Sequence, residues 1–176
     1  MRAYIRLMDG VSHWLGVLAA WALLAACVIS AGNAVIRYCF SLGSNAWLEA
    51  QWYLFALAVF AGAPMLLRLN EHVRVDVIYG GRAPRTKALI DLLGFGLVLL
   101  PVCAVVMHLS WPFALDAWRQ HEYSASAGGL LRWPVKAVIP LGFALLALQG
   151  LAEFFKRLGY LRGTYDMQTQ YERPMQ

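Results

Sequence analysis

The sequence predicts an all-α integral membrane protein: a bundle of four transmembrane helices with both termini on the cytoplasmic side. Three observations predict it. The 176 residues are 60% hydrophobic and 14% charged, against about 25% charged residues in soluble domains. The apolar residues are collected into four runs of bilayer length. The basic residues alternate in density from one connection to the next.

The runs extend over 14–36, 47–67, 88–111 and 135–155. Each has about 20 residues or more, enough to cross about 30 Å of hydrocarbon at 1.5 Å per residue. Backbone polar groups in lipid must pair within their own segment, so the runs read as helices and not as strands. A four-helix domain over 1–158 and a polar cytoplasmic tail over 159–176 follow. Arg2 and Arg6 open the chain, and Leu24-Ala25-Ala26-Cys27 has the look of a lipoprotein cleavage site. The apolar run continues beyond it to Ile36, longer than a signal-peptide core, so a retained first helix is expected.

Orientation follows from the Lys and Arg positions. Arg2 and Arg6 precede the first span, Arg68, Arg74, Arg82, Arg85 and Lys87 lie between the second and third, and Lys156, Arg157, Arg162 and Arg173 follow the fourth. The opposite side has Arg37, Arg119, Arg132 and Lys136. The richer side marks the cytoplasm. The net charge of +5 therefore reflects topology, and no nucleic-acid partner is expected; the surroundings are membrane lipid.

Along the chain, Gly43, Ser44 and Asn45 break the first outer connection, and Trp47 marks the outer interface. The inner connection holds Asn70 to Val77, in which apolar and polar residues alternate before Gly80, Gly81 and Pro84. The second outer connection, 112–133, contains Trp118, Glu122, Tyr123 and Ser124, with Trp111 and Trp133 at its margins. It is a candidate docking surface.

Charges at the middle of a bilayer are costly, and the ionisable residues here lie toward helix ends. Lys87 and Asp91, and Glu153 and Arg157, are spaced four apart on one helix face, which suggests local neutralisation. Asn33, Arg37 and Glu49 share an outer level, so an Arg37–Glu49 pair across the first hairpin is expected. Pro64 is expected to bend the second span. Ala22, Ala26 and Ser30, four apart, form a small-residue strip suited to close helix packing. Cys27, Cys39 and Cys103 have no metal-ligand spacing and read as packing residues, with a disulfide at Cys39 left open.

No nucleophile stands beside a base and no phosphate loop is present, so an enzyme is not expected. A transport path within the chain would need broken helices and polar lining, and the span centres are mainly Ala, Leu, Val and Gly. The histidines, His13, His72, His108 and His121, do not fall at matching depths on different spans. A haem-binding membrane anchor of a redox enzyme is therefore the alternative reading, and a free-standing tetraspan adaptor a third.

Several runs carry a resemblance. They are Asn33 and Arg37-Tyr38-Cys39-Phe40, Trp47-Leu48-Glu49, Ala61-Gly62-Ala63 and His72-Val73-Arg74-Val75-Asp76, then Glu122-Tyr123-Ser124, Gly128-Gly129-Leu130-Leu131-Arg132-Trp133-Pro134, Ile139-Pro140-Leu141-Gly142-Phe143 and Leu148-Gln149-Gly150. Over about 14–157 the chain resembles the small membrane subunit of tripartite ATP-independent periplasmic (TRAP) transporters, a DctQ-like protein. The C-terminal runs look like the mannitol/chloroaromatic branch. Ala50 stands where the family often has a second acid, and Pro64 is outside the pattern.

The resemblance implies a subunit of a secondary uptake system driven by a sodium gradient, carrying organic acids or related solutes across the bacterial inner membrane. Its partners would be a large multi-span permease subunit and a periplasmic solute-binding protein. This chain would hold no cofactor, with sodium coupling in the large subunit. Interface residues implied together by the resemblance and the loop reading are Arg37, Trp47, Glu49, His72, Arg74, Asp76, Trp118, Glu122, Ser124 and Arg132.

Overall fold

A computed structural model describes residues 1–70 and 81–165. Four long helices account for nearly all of them: α1 (Arg2–Phe40), α2 (Asn45–Leu69), α3 (Pro84–Arg119) and α4 (Trp133–Leu161). All four are long and apolar enough to span a membrane. Each exceeds the apolar run that predicted it, because a hydrophobic run measures only the hydrocarbon, whereas a helix continues until the backbone is turned. Ser41 (φ 54°) and Asn70 (φ 63°) supply left-handed caps that end α1 and α2. Pro112, expected at the start of the second outer loop, lies inside α3, which runs on to Arg119 and leaves only 120–132 as the connection. The expected junction at 158/159 falls within the last turns of α4, and what lies beyond 165 is outside the described residues.

The helices run antiparallel. Arg2 donates to the Thr164 carbonyl and Arg68 to the Asp9 carbonyl, while Arg157 meets Asp91, so both ends of the described chain, the last turn of α2 and the first turns of α3 gather at one end. The 41–44 and 120–132 connections lie at the other. We call these the terminal end and the loop end.

Small residues decide which helices meet closely. On α1 the buried residues Ile5, Ser12, Ala19 and Ala26 are seven apart, with Met8 and Ala22 between them, a heptad seam. Ser30, expected on the same strip, is exposed. Steps of four advance about 40° beyond a full turn each time at 3.6 residues per turn, so Ala22–Ala26–Ser30 drifts off the seam. Ala19 faces Gly62 of α2, where an added Cβ would lie 3.4 Å from its own. α4 is the hub, touching α1, α2 and α3. Gly142 opens it to Phe60 of α2, and Gly150 to Leu99 of α3. α2 continues through Pro64, which is buried inside the bundle.

Within α3, Gly94–Leu99 form a π-helical stretch. Leu100 donates five residues back to Phe95 directly before Pro101, which has no N–H. A widened turn is one way a membrane helix re-satisfies carbonyls that a proline leaves without donors. Phe95 in this stretch is buried, its ring 5.6 Å from the Arg157 guanidinium. Outward, all four helices present large apolar side chains such as Trp21, Phe55, Leu97 and Leu141. Of the cysteines, Cys103 is buried as expected, but Cys27 and Cys39 are exposed and all three are free, so the packing reading holds for Cys103 alone.

Candidate functional site

Polar chemistry is concentrated at the two ends of the bundle. At the loop end, the first turns of α2 place Asn45 and Glu49 four residues apart on one face, and the 120–132 loop folds back over them. Glu49, only 6% exposed, accepts the Ser124 hydroxyl on one oxygen and the Leu130 N–H, at 2.7 Å, on the other. Asn45 donates to the Ala127 carbonyl at 3.1 Å. The loop is itself a small hairpin: the Arg132 N–H reaches the Glu122 carbonyl at 2.8 Å, the Ser124 N–H reaches Leu130 at 2.9 Å, and Tyr123 bridges Leu131. Gly128 turns at φ 71°. Gly129 packs so closely on Ser124 that no Cβ fits.

The rim of this loop carries charge and aromatic surface. Glu122 receives the Lys136 ammonium on one oxygen and lies 3.8 Å from Arg132 on the other. Lys136 also stands 4.0 Å above the Phe113 ring, and Trp118 meets Trp133 edge-on at 4.3 Å. Trp118 and Tyr123 are exposed. Below the loop, the Tyr53 hydroxyl is buried without a hydrogen-bond partner among the described residues.

At the terminal end a buried ionic network joins all four helices. Glu153 of α4 is at its centre, accepting Lys156 at 2.7 Å on one oxygen and Arg157 at 2.7 Å on the other. Lys156 also reaches Asp9 of α1 at 2.7 Å, and Arg157 reaches Asp91 of α3 at 3.2 Å. Each cation thus lies between two carboxylates. Gln149 donates to Asp9 and Glu153 and accepts from Ser12 at 2.8 Å. Arg68 brings in α2 through the Asp9 carbonyl at 2.7 Å. Pairing and hydrogen bonding of this kind offset the desolvation cost that burying these charges incurs.

Among the residues singled out from sequence, Glu49, Glu122, Ser124 and Arg132 come together in the loop-end cluster, with Trp118 on its rim. Trp47 lies elsewhere, lining a crevice of about 350 Å³ with Val28, Gly32 and Asn33 of α1. That placement explains why the expected Arg37–Glu49 pair does not form. Trp47 faces α1, and Glu49, two residues on, points about 200° around the helix toward the loop; Arg37 is left exposed on the last turn of α1. His72, Arg74 and Asp76 lie outside the described residues, as does the rest of the alternating segment after Asn70.

The Glu153–Arg157 pair forms as its spacing suggests, but as part of a four-helix network and not as a local neutralisation. Asp9, Ser12, Gln149 and Lys156 were not singled out as site residues. The available signal was polar residues recurring at helical spacing, 149, 153 and 156, inside an apolar run. His13 lies on α1 beside Ser12, and His108 on α3 and His121 in the loop lie toward the other end. Among the described residues no group of three or more His, Cys, Asp or Glu is placed to hold a metal ion.

No curated protein and no solved structure matches the chain. The family model for the DctQ component of tripartite ATP-independent periplasmic transporters matches residues 26–159, which takes in the last part of α1, all of α2 and α3, and the network-bearing part of α4. The chain belongs to this DctQ family, and so is the small membrane subunit of a TRAP transporter and not an enzyme.

Proposed function

We propose that this subunit is the fixed scaffold of its transporter, holding the stationary part of the large permease in the bilayer and offering its loop end to the substrate-loaded periplasmic binding protein. DctQ components work with those two partners in TRAP systems. The observation that carries the reading is the loop-end cluster. Charged and aromatic groups stand on a loop tied to the bundle, as a surface meant for repeated docking requires. The network at the terminal end ties the same helices together, which suits a part that does not move. On this reading sodium coupling and the solute path lie in the large subunit, and this chain has no cofactor. The mannitol/chloroaromatic branch rests on the 128–134 and 139–143 runs.

The excess of Lys and Arg at the terminal end supports cytoplasmic termini in the inner membrane, with the loop end periplasmic. Native cysteines test this directly. A membrane-impermeant maleimide added to spheroplasts is expected to label Cys39, exposed on the last turn of α1, and to spare buried Cys103. Labelling of Cys39 only after lysis would reverse the orientation.

Docking is tested by charge reversal. Arg132→Glu and Glu122→Lys are each expected to lower uptake about twofold to fivefold, as loss of a partly exposed ion pair does, while the subunit still co-purifies with the large permease. Unchanged uptake by both variants would remove these residues from the docking surface.

A further inference from the structure

We propose that Glu49 is the positioning residue of the 120–132 loop: from α2 it fixes the shape in which Glu122, Tyr123 and Arg132 are presented, so that the loop is formed before its partner arrives. The inference rests on the docking reading above.

Three observations lead to it. Glu49 is a nearly buried carboxylate whose two oxygens are both taken by the loop, from residues 75 and 81 positions away. Its hydrogen-bond donors are a serine hydroxyl and a backbone N–H, so the loop satisfies the carboxylate and the carboxylate orders the loop. Around this point the loop is shaped to receive it. Asn45 holds the Ala127 carbonyl at 3.1 Å, Ser126 N–H reaches the Ser124 hydroxyl at 3.3 Å, Gly128 adopts the left-handed turn, and Gly129 admits Ser124 against its backbone.

The position of the bonds within the hairpin matters as much as their strength. Ser124 and Leu130 are themselves partners across the hairpin, at 2.9 Å. By holding both, Glu49 fixes the rung next to the one that joins Glu122 to Arg132. Without it, the rim charges would remain but their spacing would have to be set at each encounter, and ordering a loop on binding lowers affinity.

The test uses the complete transporter in proteoliposomes, with two readouts: hydrogen–deuterium exchange of the loop amides without the binding protein, and uptake against the concentration of loaded binding protein. For Glu49→Ala we expect exchange at Ser124 and Leu130 to accelerate at least about tenfold. The half-saturating concentration of binding protein should rise about tenfold, with maximal uptake within about twofold. Ser124→Ala, which leaves α2 untouched, should give the same pattern at roughly a third of the size and serves if Glu49→Ala does not assemble. Unchanged exchange in an assembled variant would overturn the role of Glu49. Faster exchange with unchanged half-saturation would keep Glu49 as organiser of the loop and overturn the docking reading instead.

Discussion

Glu153→Ala is expected to destabilise the bundle by about 3–5 kcal/mol, the range found when one member of a buried ion pair is removed and its partners stay charged. The size follows from its position. Glu153 is 1% exposed and touches both Lys156 and Arg157. Its removal takes from Lys156 one of its two carboxylates among the described residues, frees one guanidinium nitrogen of Arg157, and takes an acceptor from Gln149. Glu153→Gln keeps the shape and one acceptor, and its cost should be roughly half as large. Thermal unfolding of the purified subunit in detergent would measure both; a loss under about 1 kcal/mol for the alanine variant would show that the network does not hold the helices together. High salt should do little to the wild type, because screening acts weakly on buried pairs.

Gly142→Val is the second large effect. A Cβ on Gly142 would lie 2.6 Å from Phe60 Cβ and 2.8 Å from Phe60 Cδ1. The first of these atoms is at the root of its side chain and can move only with the helix backbone. The ring is also in contact with Phe143, at 5.9 Å between centroids, so the two helices must separate. Overpacking of this kind costs about 1–3 kcal/mol or more. Gly142→Ala and Gly94→Ala are the matched pair, since nothing lies within 4 Å of the carbon added at Gly94. Replacing glycine raises helix propensity and should not by itself destabilise either helix, so an equal fall in melting temperature for both variants would mean that the contact between α2 and α4 does not decide the result.

The four helices were legible in the sequence because the bilayer imposes a length and a composition that one run of residues displays by itself. Their ends were not, because Ser41 and Asn70 stop α1 and α2 by adopting a backbone angle that neither residue type requires. Pro112 was misread for a related reason: in lipid a proline does not end a helix whose other carbonyls remain bonded. The loop-end residues Glu49, Glu122, Ser124 and Arg132 were found, yet their pairing was not. A common depth suggested Arg37 for Glu49, but depth is only one coordinate, and the rotation between Trp47 and Glu49 aims the carboxylate away from α1. The terminal-end network was hidden more deeply. Glu153 and Arg157 are neighbours in sequence as well as in space, whereas Ser12 and Gln149 are 137 residues apart, and their contact depends on the helix packing itself.

That separation has a consequence for how the chain is made. Asp9 is made with α1, and the lysine that holds it comes 147 positions later, on α4. α4 also supplies Gln149 to Ser12 and Arg157 to Asp91. The first three helices are therefore made before the α4 groups that fasten them to one another, and the network closes only once α4 is in place. A chain that stops short of α4 lacks the charges by which its earlier helices are locked.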